Sequence, residues 1–402
     1  MLIPLLVFLL IICIIIILIF YIIEIKPYLN LKITRKYGML NNNTPDFEFK
    51  EKVLKSALIS SKNETPKMSL ADNTFFPIVL VREINLKLKK NNRLKNSFPK
   101  GYLLNGIFDY ADSVNDEKTL LYLESITNKF VIELIEKQNT LKYIDQVTMG
   151  VVIVKLYKKN KNSKYKNACE IIINWLINNI SPKYGIILYR PYLDYQYVDT
   201  LGMICPFLLL CATILDKSEL IELSNKQIAF YINNGLNDDR IPFHAIDLKN
   251  KNTPMGSCNW GRGMGWYLLA ISATLKYTNS NNNSSYNLFV KELNLLKPNL
   301  NKFKKNHYWG QFLGSSKNWH IDTSVSCMLF YSLSLINEEI DFNNFYHFIK
   351  PLTTKKGDVD YTSGDTEDIN LYSREYNKSE LTQGLLLSIF KNEIILHEKN
   401  FN

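Results

Sequence analysis

The sequence predicts an all-α protein, an (α/α)6 barrel behind an N-terminal single-pass transmembrane helix. Three observations lead there. The chain opens on an unbroken apolar run, residues 2–23. Six later segments, apolar on nearly every side, recur roughly 50–60 residues apart. Amphipathic segments with a period near 3.6 residues alternate with them, and strand-like alternation is almost absent. At 402 residues and 46% hydrophobic content, the chain can bury the core that such a fold needs.

Taken in order, the first element is the apolar run. At about 1.5 Å per residue it reaches roughly 33 Å, enough to cross the hydrocarbon layer of a bilayer. A cleavable signal peptide has a basic start, a shorter apolar stretch and a small-x-small cleavage site. Here no Lys or Arg precedes the run, which passes straight into Glu24-Ile25-Lys26-Pro27. Residues 1–25 therefore read as an uncleaved anchor. Lys26, Lys32, Arg35 and Lys36 follow it, so the positive-inside rule places the globular part in the cytoplasm. Lys is frequent along the whole chain, which leaves an outward-facing arrangement open. Residues 26–70 read as a linker and first outer helix, with a helix near 47–60, and residues 71–397 as the barrel domain.

The buried helices begin near Gly101, Asp145, Asp199, Trp260, Asp322 and Leu381, and the amphipathic ones cover 117–137, 165–180, 217–234 and 285–298. A helix apolar all round must be enclosed, whereas an amphipathic one has a single face to cover. A closed double ring satisfies both. An open solenoid would need a polar capping repeat, and none is evident. The turns after the buried helices are short (158–164, 214–217), while the segments leading into them are long and aromatic (181–198, 235–259, 300–321, 351–380). Inner helices of such a ring run parallel, so these long loops share one face, and loops of that length in a compact domain carry function. Trp260, Trp266, Trp309 and Trp319 fall on that face with His244, His307 and His320.

Several function classes are excluded. Lys+Arg 48 against Asp+Glu 38 gives +10, but only seven of the cations are Arg, and Lys, Asn and Ile are abundant everywhere. No aromatic-rich RNA-binding signature accompanies the charge, so it does not point to nucleic acid. Six cysteines without a C-x-x-C pair exclude a metal ribbon and a disulfide scaffold. No two His stand at i,i+4, against a zinc site. The Gly-rich stretch Asn259-Trp260-Gly261-Arg262-Gly263-Met264-Gly265-Trp266 lacks a preceding strand and a following Lys-Ser/Thr, so it is no nucleotide loop. No G-x-S-x-G or Cys-His signature argues for a covalent nucleophile. No metal and no cofactor is implied. Two Lys-rich stretches, 87–100 and 155–166, read as solvated surface.

Asp145, Asp199 and Asp322 each open a buried helix. Singly, each reads as an N-cap that satisfies orphan backbone donors. Three at equivalent positions of one ring converge on a common pocket, where mutual repulsion and burial keep one carboxylic acid protonated near neutrality. Asp199 and Asp145 are thus candidates for acid/base chemistry, and Asp322 for substrate contact. Arg262 offers a planar fork, either to a substrate carboxylate or to a ring aspartate. His244, in the loop before the Gly-rich motif, is either a polar contact to substrate or a satisfied loop residue.

These motifs resemble glycoside hydrolase families 88 and 105, the unsaturated glucuronyl and rhamnogalacturonyl hydrolases, over roughly residues 95–395. The resemblance is carried by Ile144-Asp145 with Met149-Gly150 and Leu156-Tyr157. It continues through Val198-Asp199-Thr200-Leu201 with Met203 and Pro206-Phe207-Leu208, and through Phe243-His244. Trp260-Gly261-Arg262-Gly263, Gly265-Trp266-Tyr267 and Asp322-Thr323-Ser324-Val325-Ser326 complete it. It implies an (α/α)6 barrel that hydrates the C4=C5 double bond of a 4,5-unsaturated uronic acid at a non-reducing end, so the substrate is an anionic oligosaccharide. It gives Asp199 the role of acid and water activator and Asp145 that of its helper. His244 and Arg262 would hold substrate oxygens or the carboxylate, and Trp260 or Trp266 would line the sugar site. Phe98 and Met264 depart from the family, which often has Trp and a polar residue there. The anchor is also unusual among degradative members, so an accessory role in exopolysaccharide biosynthesis, binding or trimming a saturated glycan, is the alternative.

Overall fold

The computed structural model describes residues 2–63, 96–137, 140–278, 284–305, 308–315, 320–338, 340–366 and 368–401. Helix α1 (Leu2–Phe20) continues through a π-helical turn, Tyr21–Ile25, into α2 (Lys26–Tyr37), so that one rod ends at Gly38. Pro27, which has no N–H to donate to the preceding turn, follows directly on the π-helical turn inside this rod. Where composition suggested a polar linker, these residues are helical. α1 is exposed along its length and is long and apolar enough to cross a membrane. By length and composition Val198–Leu215 passes the same test, yet it is mostly buried in the ring.

Outer and inner helices alternate from there. In chain order they are α3 (Asp46–Ser61, outer), α4 (Phe98–Ser113, inner), α5 (Glu117–Glu136, outer), α6 (Met149–Asn160, inner), α7 (Ser163–Asn178, outer) and α8 (Val198–Leu215, inner). The second half comprises α9 (Glu219–Asn234, outer), α10 (Gly261–Tyr277, inner), α11 (Ser284–Phe303, outer), α12 (Thr323–Leu335, inner), α13 (Phe342–Ile349, outer) and α14 (Glu380–Phe401, inner). Each inner helix packs on the next, and α14 returns to pack along α4, closing the ring. Outer helices bury one stripe. In α7 it is Tyr165, Ala168, Cys169, Ile172, Ile173 and Leu176, the spacing of one helical face.

Ring closure depends on two glycines. A Cβ on Gly106 would lie 2.0 Å from the carbonyl oxygen of Gly384, and one on Gly384 would lie 2.1 Å from that of Tyr102. The backbones of α4 and α14 therefore touch, which only glycine permits.

The far end of the ring is plugged by charge. Asp109 of α4 accepts hydrogen bonds from Lys155 of α6 and Lys391 of α14, both at 2.7 Å, and from Ser388 at 2.9 Å. Burial alone would raise the Asp109 carboxyl, but the two ammonium groups overcome it and hold it well below the usual carboxylate range. Burial lowers Lys155 to about 8 against the pull of Asp109. Lys155 thus lies inside the ring rather than on a solvated surface. Lys100 is also buried, donating to Ser61 O and Asn63 O; residues 87–95 of the other Lys-rich stretch lie outside the described residues. Beside the plug remains a cavity of about 30 Å³ lined by Tyr102, Asn105, Lys155, Tyr277 and Tyr331, room for a couple of water molecules and no sugar.

The opposite face carries the long loops. Short strands β1 (Tyr195–Tyr197), β2 (Ala245–Asp247) and β3 (Thr253–Met255) form an antiparallel sheet, and β4 (Thr362–Ser363) pairs with β5 (Tyr376–Asn377) as a ribbon. These strands, too short for alternation to register in sequence, tie the loops together over the inner-helix N-termini.

Candidate active site

The three ring aspartates take different backbone positions. Asp322 is the N-cap of α12: its Oδ1 accepts from Ser324 N and Ser324 Oγ, and its Oδ2 accepts from Ser363 Oγ. It is fully buried, and both oxygens are engaged within the fold. Asp145 lies one residue inside the 3₁₀ turn Ile144–Thr148 that precedes α6, and Asp199 one residue inside α8, so neither caps its helix.

Asp145 Oδ1 accepts a hydrogen bond from Tyr189 Oη at 2.5 Å. Burial, followed by the charges of Asp145 and Asp199, pushes the Tyr189 hydroxyl far above its ordinary range. Asp199 Oδ2 is buried and has no hydrogen-bond partner among the described residues. Burial raises the Asp199 carboxyl to about 7, with Asp145 and Asp365 adding to the rise and Arg262 opposing it. A carboxylic acid half-protonated at neutral pH is suited to give and take a proton.

His244 Nε2 lies 3.7 Å from Asp199 Oδ2. Burial lowers His244 to about 4, so near neutrality the two face each other as an uncharged imidazole and a titrating acid. The ring of His244 lies 4.6 Å from that of Trp260 and 5.5 Å from that of Tyr372, whose hydroxyl is 3.3 Å from Nδ1. Trp260 Nε1 is likewise buried without a partner among the described residues. Asp199 Oδ2 and the Trp260 ring therefore both lie close to the same imidazole.

Arg262 is buried under Trp260 at 5.6 Å, and its fork goes to the ribbon rather than to a ring aspartate. Nη1 donates to Ser363 O at 3.0 Å, and Nη2 donates to Gly364 O at 2.5 Å and Thr366 Oγ1 at 3.1 Å. Trp266, one turn further along α10, packs against Phe98, Tyr102 and the backbone of Gly202 in the ring interior. Beside Asp145 opens a cavity of about 570 Å³, lined by Lys142, Tyr143, Asp145, Tyr189, Arg190 and Tyr192. That volume suits an oligosaccharide end.

Residues 79–349 match the family model described as Glycosyl Hydrolase Family 88. The chain belongs to glycosyl hydrolase family 88. It is a glycoside hydrolase, and its substrate is a carbohydrate. Solved structures share the fold. A family 105 glycoside hydrolase from C. acetobutylicum ATCC 824 is 20% identical with a TM-score of 0.63, over 78% of this chain and 98% of its own. The unsaturated glucuronyl hydrolase from Bacillus sp. GL1 is 12% identical with a TM-score of 0.61, over 84% and 93%. A family 88 hydrolase from Bacteroides vulgatus is 11% identical with a TM-score of 0.57, over 79% and 99%. No curated protein matches the sequence.

The family 88 ring brings Asp145, Asp199, His244, Trp260 and Arg262 to one face, while Trp266 and Asp322 are enclosed beneath it. Trp319 and His307 lie outside the described residues. Sequence reasoning missed Tyr189, Tyr372 and Asp365. All three stand in the long aromatic loops, but nothing in their immediate sequence separates them from neighbouring tyrosines and acids.

Proposed function

We propose that this family 88 protein is a membrane-anchored hydrolase of unsaturated uronic-acid oligosaccharides. The observation that carries the proposal is Asp199: a carboxyl raised to about 7, with one oxygen unpaired among the described residues beside a neutral His244, while the open cavity lies beside Asp145. Asp199 in its acid form delivers a proton to C4 of the unsaturated uronide. Water adds at C5 and returns a proton to the Asp199 carboxylate, giving a hemiketal that opens and expels the remaining saccharide. Asp145, hydrogen-bonded by Tyr189, keeps negative charge near Asp199 and so keeps its proton on at neutral pH. His244 and Trp260 present polar atoms to the sugar, and Arg262 stabilises the loop against it. Helix α1 holds the enzyme in a membrane, with the barrel on the side of the basic residues that follow.

The test is the ultraviolet absorbance of the conjugated alkene. Full-length protein in detergent micelles is incubated with lyase-made unsaturated oligouronides, and absorbance is expected to fall. Asp199→Asn should abolish the fall. Loss with no uronide tried refutes the reaction, and glycan binding without alkene loss moves the protein to a role in polysaccharide assembly. For topology, protease added to sealed vesicles should leave the barrel intact if it lies within.

A further inference from the structure

No residue of α2 is buried, yet one of its side chains reaches into the active-site ribbon. Arg35 Nε and Nη2 donate to Asp360 Oδ2 and Oδ1 at 2.9 and 3.0 Å, and Nη2 donates to Tyr376 O at 2.6 Å. The guanidinium also lies 4.3 Å over the ring of Tyr361. Asp360 stands two residues before β4, and Tyr376 opens β5, so one planar fork ties both limbs of the ribbon. Asp360 is itself buried, and its Oδ1 also accepts from Tyr361 N at 2.7 Å.

The ribbon leads directly to the chemistry. Ser363 O and Gly364 O, three and four residues past Asp360, are the acceptors that hold Arg262. Gly364 N donates back to Glu375 O at 2.9 Å, next to the Arg35 contact at Tyr376, and the charge of Asp365 acts on Asp199. The chain near α2 is attached independently, by Leu40 N to Thr353 O at 2.8 Å and by Lys355 N to Gly38 O at 2.6 Å. The Arg35 fork is therefore not needed to hold α2 to the barrel, and it engages the ribbon through geometry that a lysine, a single point charge, cannot reproduce.

We propose that Arg35 is a positioning residue of the active site: the helix that leaves the anchor clamps the β4–β5 ribbon, and the ribbon's carbonyls in turn hold Arg262 beside Asp199. The clamp stands on geometry alone; its catalytic consequence rests on the hydrolase reading above. Asp199 is faced by Arg262 from α10, Asp145 from the turn before α6, Tyr231 from α9, Tyr197 from β1, and Tyr189, His244, Asp365 and Tyr372 from the loops. Loosening Arg262 removes the one cation in that set that lowers Asp199.

The test uses the full chain in detergent micelles as wild type, Arg35→Ala and Arg35→Lys. Hydrogen–deuterium exchange is expected to speed up in residues 360–366 and 374–378 of Arg35→Ala, less so in Arg35→Lys, with α5 and α9 exchanging as in wild type. In the alkene assay Arg35→Ala is expected to lose about ten- to hundredfold in kcat/KM, with partial rescue in Arg35→Lys, and to lose activity at a higher pH than wild type. Unchanged exchange in the ribbon overturns the clamp. A loosened ribbon with wild-type kcat/KM and pH profile overturns the positioning role. Should the wild type leave every uronide intact, the hydrolase reading fails while the exchange measurement still decides the clamp.

Discussion

Replacing Asp199 by Asn is expected to stabilise the protein while destroying its activity, and the gain depends on pH in a defined way. The Asp199 carboxyl rises from its ordinary 3.8 to about 7 in the fold, chiefly through burial. Three units at about 1.36 kcal/mol each amount to ~4 kcal/mol. The side chain retains 17% exposure, so solvent screening reduces this to ~2 kcal/mol. The sign follows from proton counts. Between 3.8 and 7 the unfolded chain has released the proton and the folded one keeps it, so folding loses stability as pH rises through that window and the loss stays constant above it. Asn carries no such penalty. Thermal unfolding of both proteins in the same detergent should give nearly equal Tm at pH 4, diverging to a lead of roughly 2 °C for Asp199→Asn at pH 8. A gap independent of pH, or a less stable variant at pH 8, refutes the burial argument and with it the protonated acid.

Other outcomes follow from the same geometry. With Asp199 near 7 and His244 near 4, wild-type alkene hydration should decline through pH 7 and show no second inflection between pH 5 and 6.5; an inflection there in the pH–kcat/KM profile would assign a titrating role to His244. Gly384→Ala drives a methyl against the Tyr102 carbonyl and should cost ~3 kcal/mol, measured as a lower urea midpoint. A midpoint equal to wild type would mean that α4 and α14 do not meet there. Asp109→Asn leaves Lys155 and Lys391 facing each other in the interior and should cost ~3–5 kcal/mol by the same measurement. A loss below ~1 kcal/mol would show that water reaches the cluster.

The helical ring was legible because its two kinds of helix differ in composition all along their length: Val198–Leu215 is apolar on every side, and α7 on one stripe only. The aspartates could be found but not ranked. Whether an Asp caps a helix or sits in its first turn turns on one or two residues of backbone geometry, and that difference separates Asp322 from Asp145 and Asp199. Arg262 could be singled out by rarity, whereas its acceptors could not, since backbone carbonyls a hundred residues away carry no side-chain signature. Lys155 looked like surface because its run is Lys-rich; its burial depends on Asp109, which stands on another helix. The strands of two or three residues escaped because alternation needs more length to register.

The salt-linked stopper of Asp109, Lys155 and Lys391 makes the ring a cul-de-sac. A polymer cannot thread from one side to the other, so only a chain terminus can be inserted. Whatever is released must back out through the entrance by which it came, before another terminus can enter.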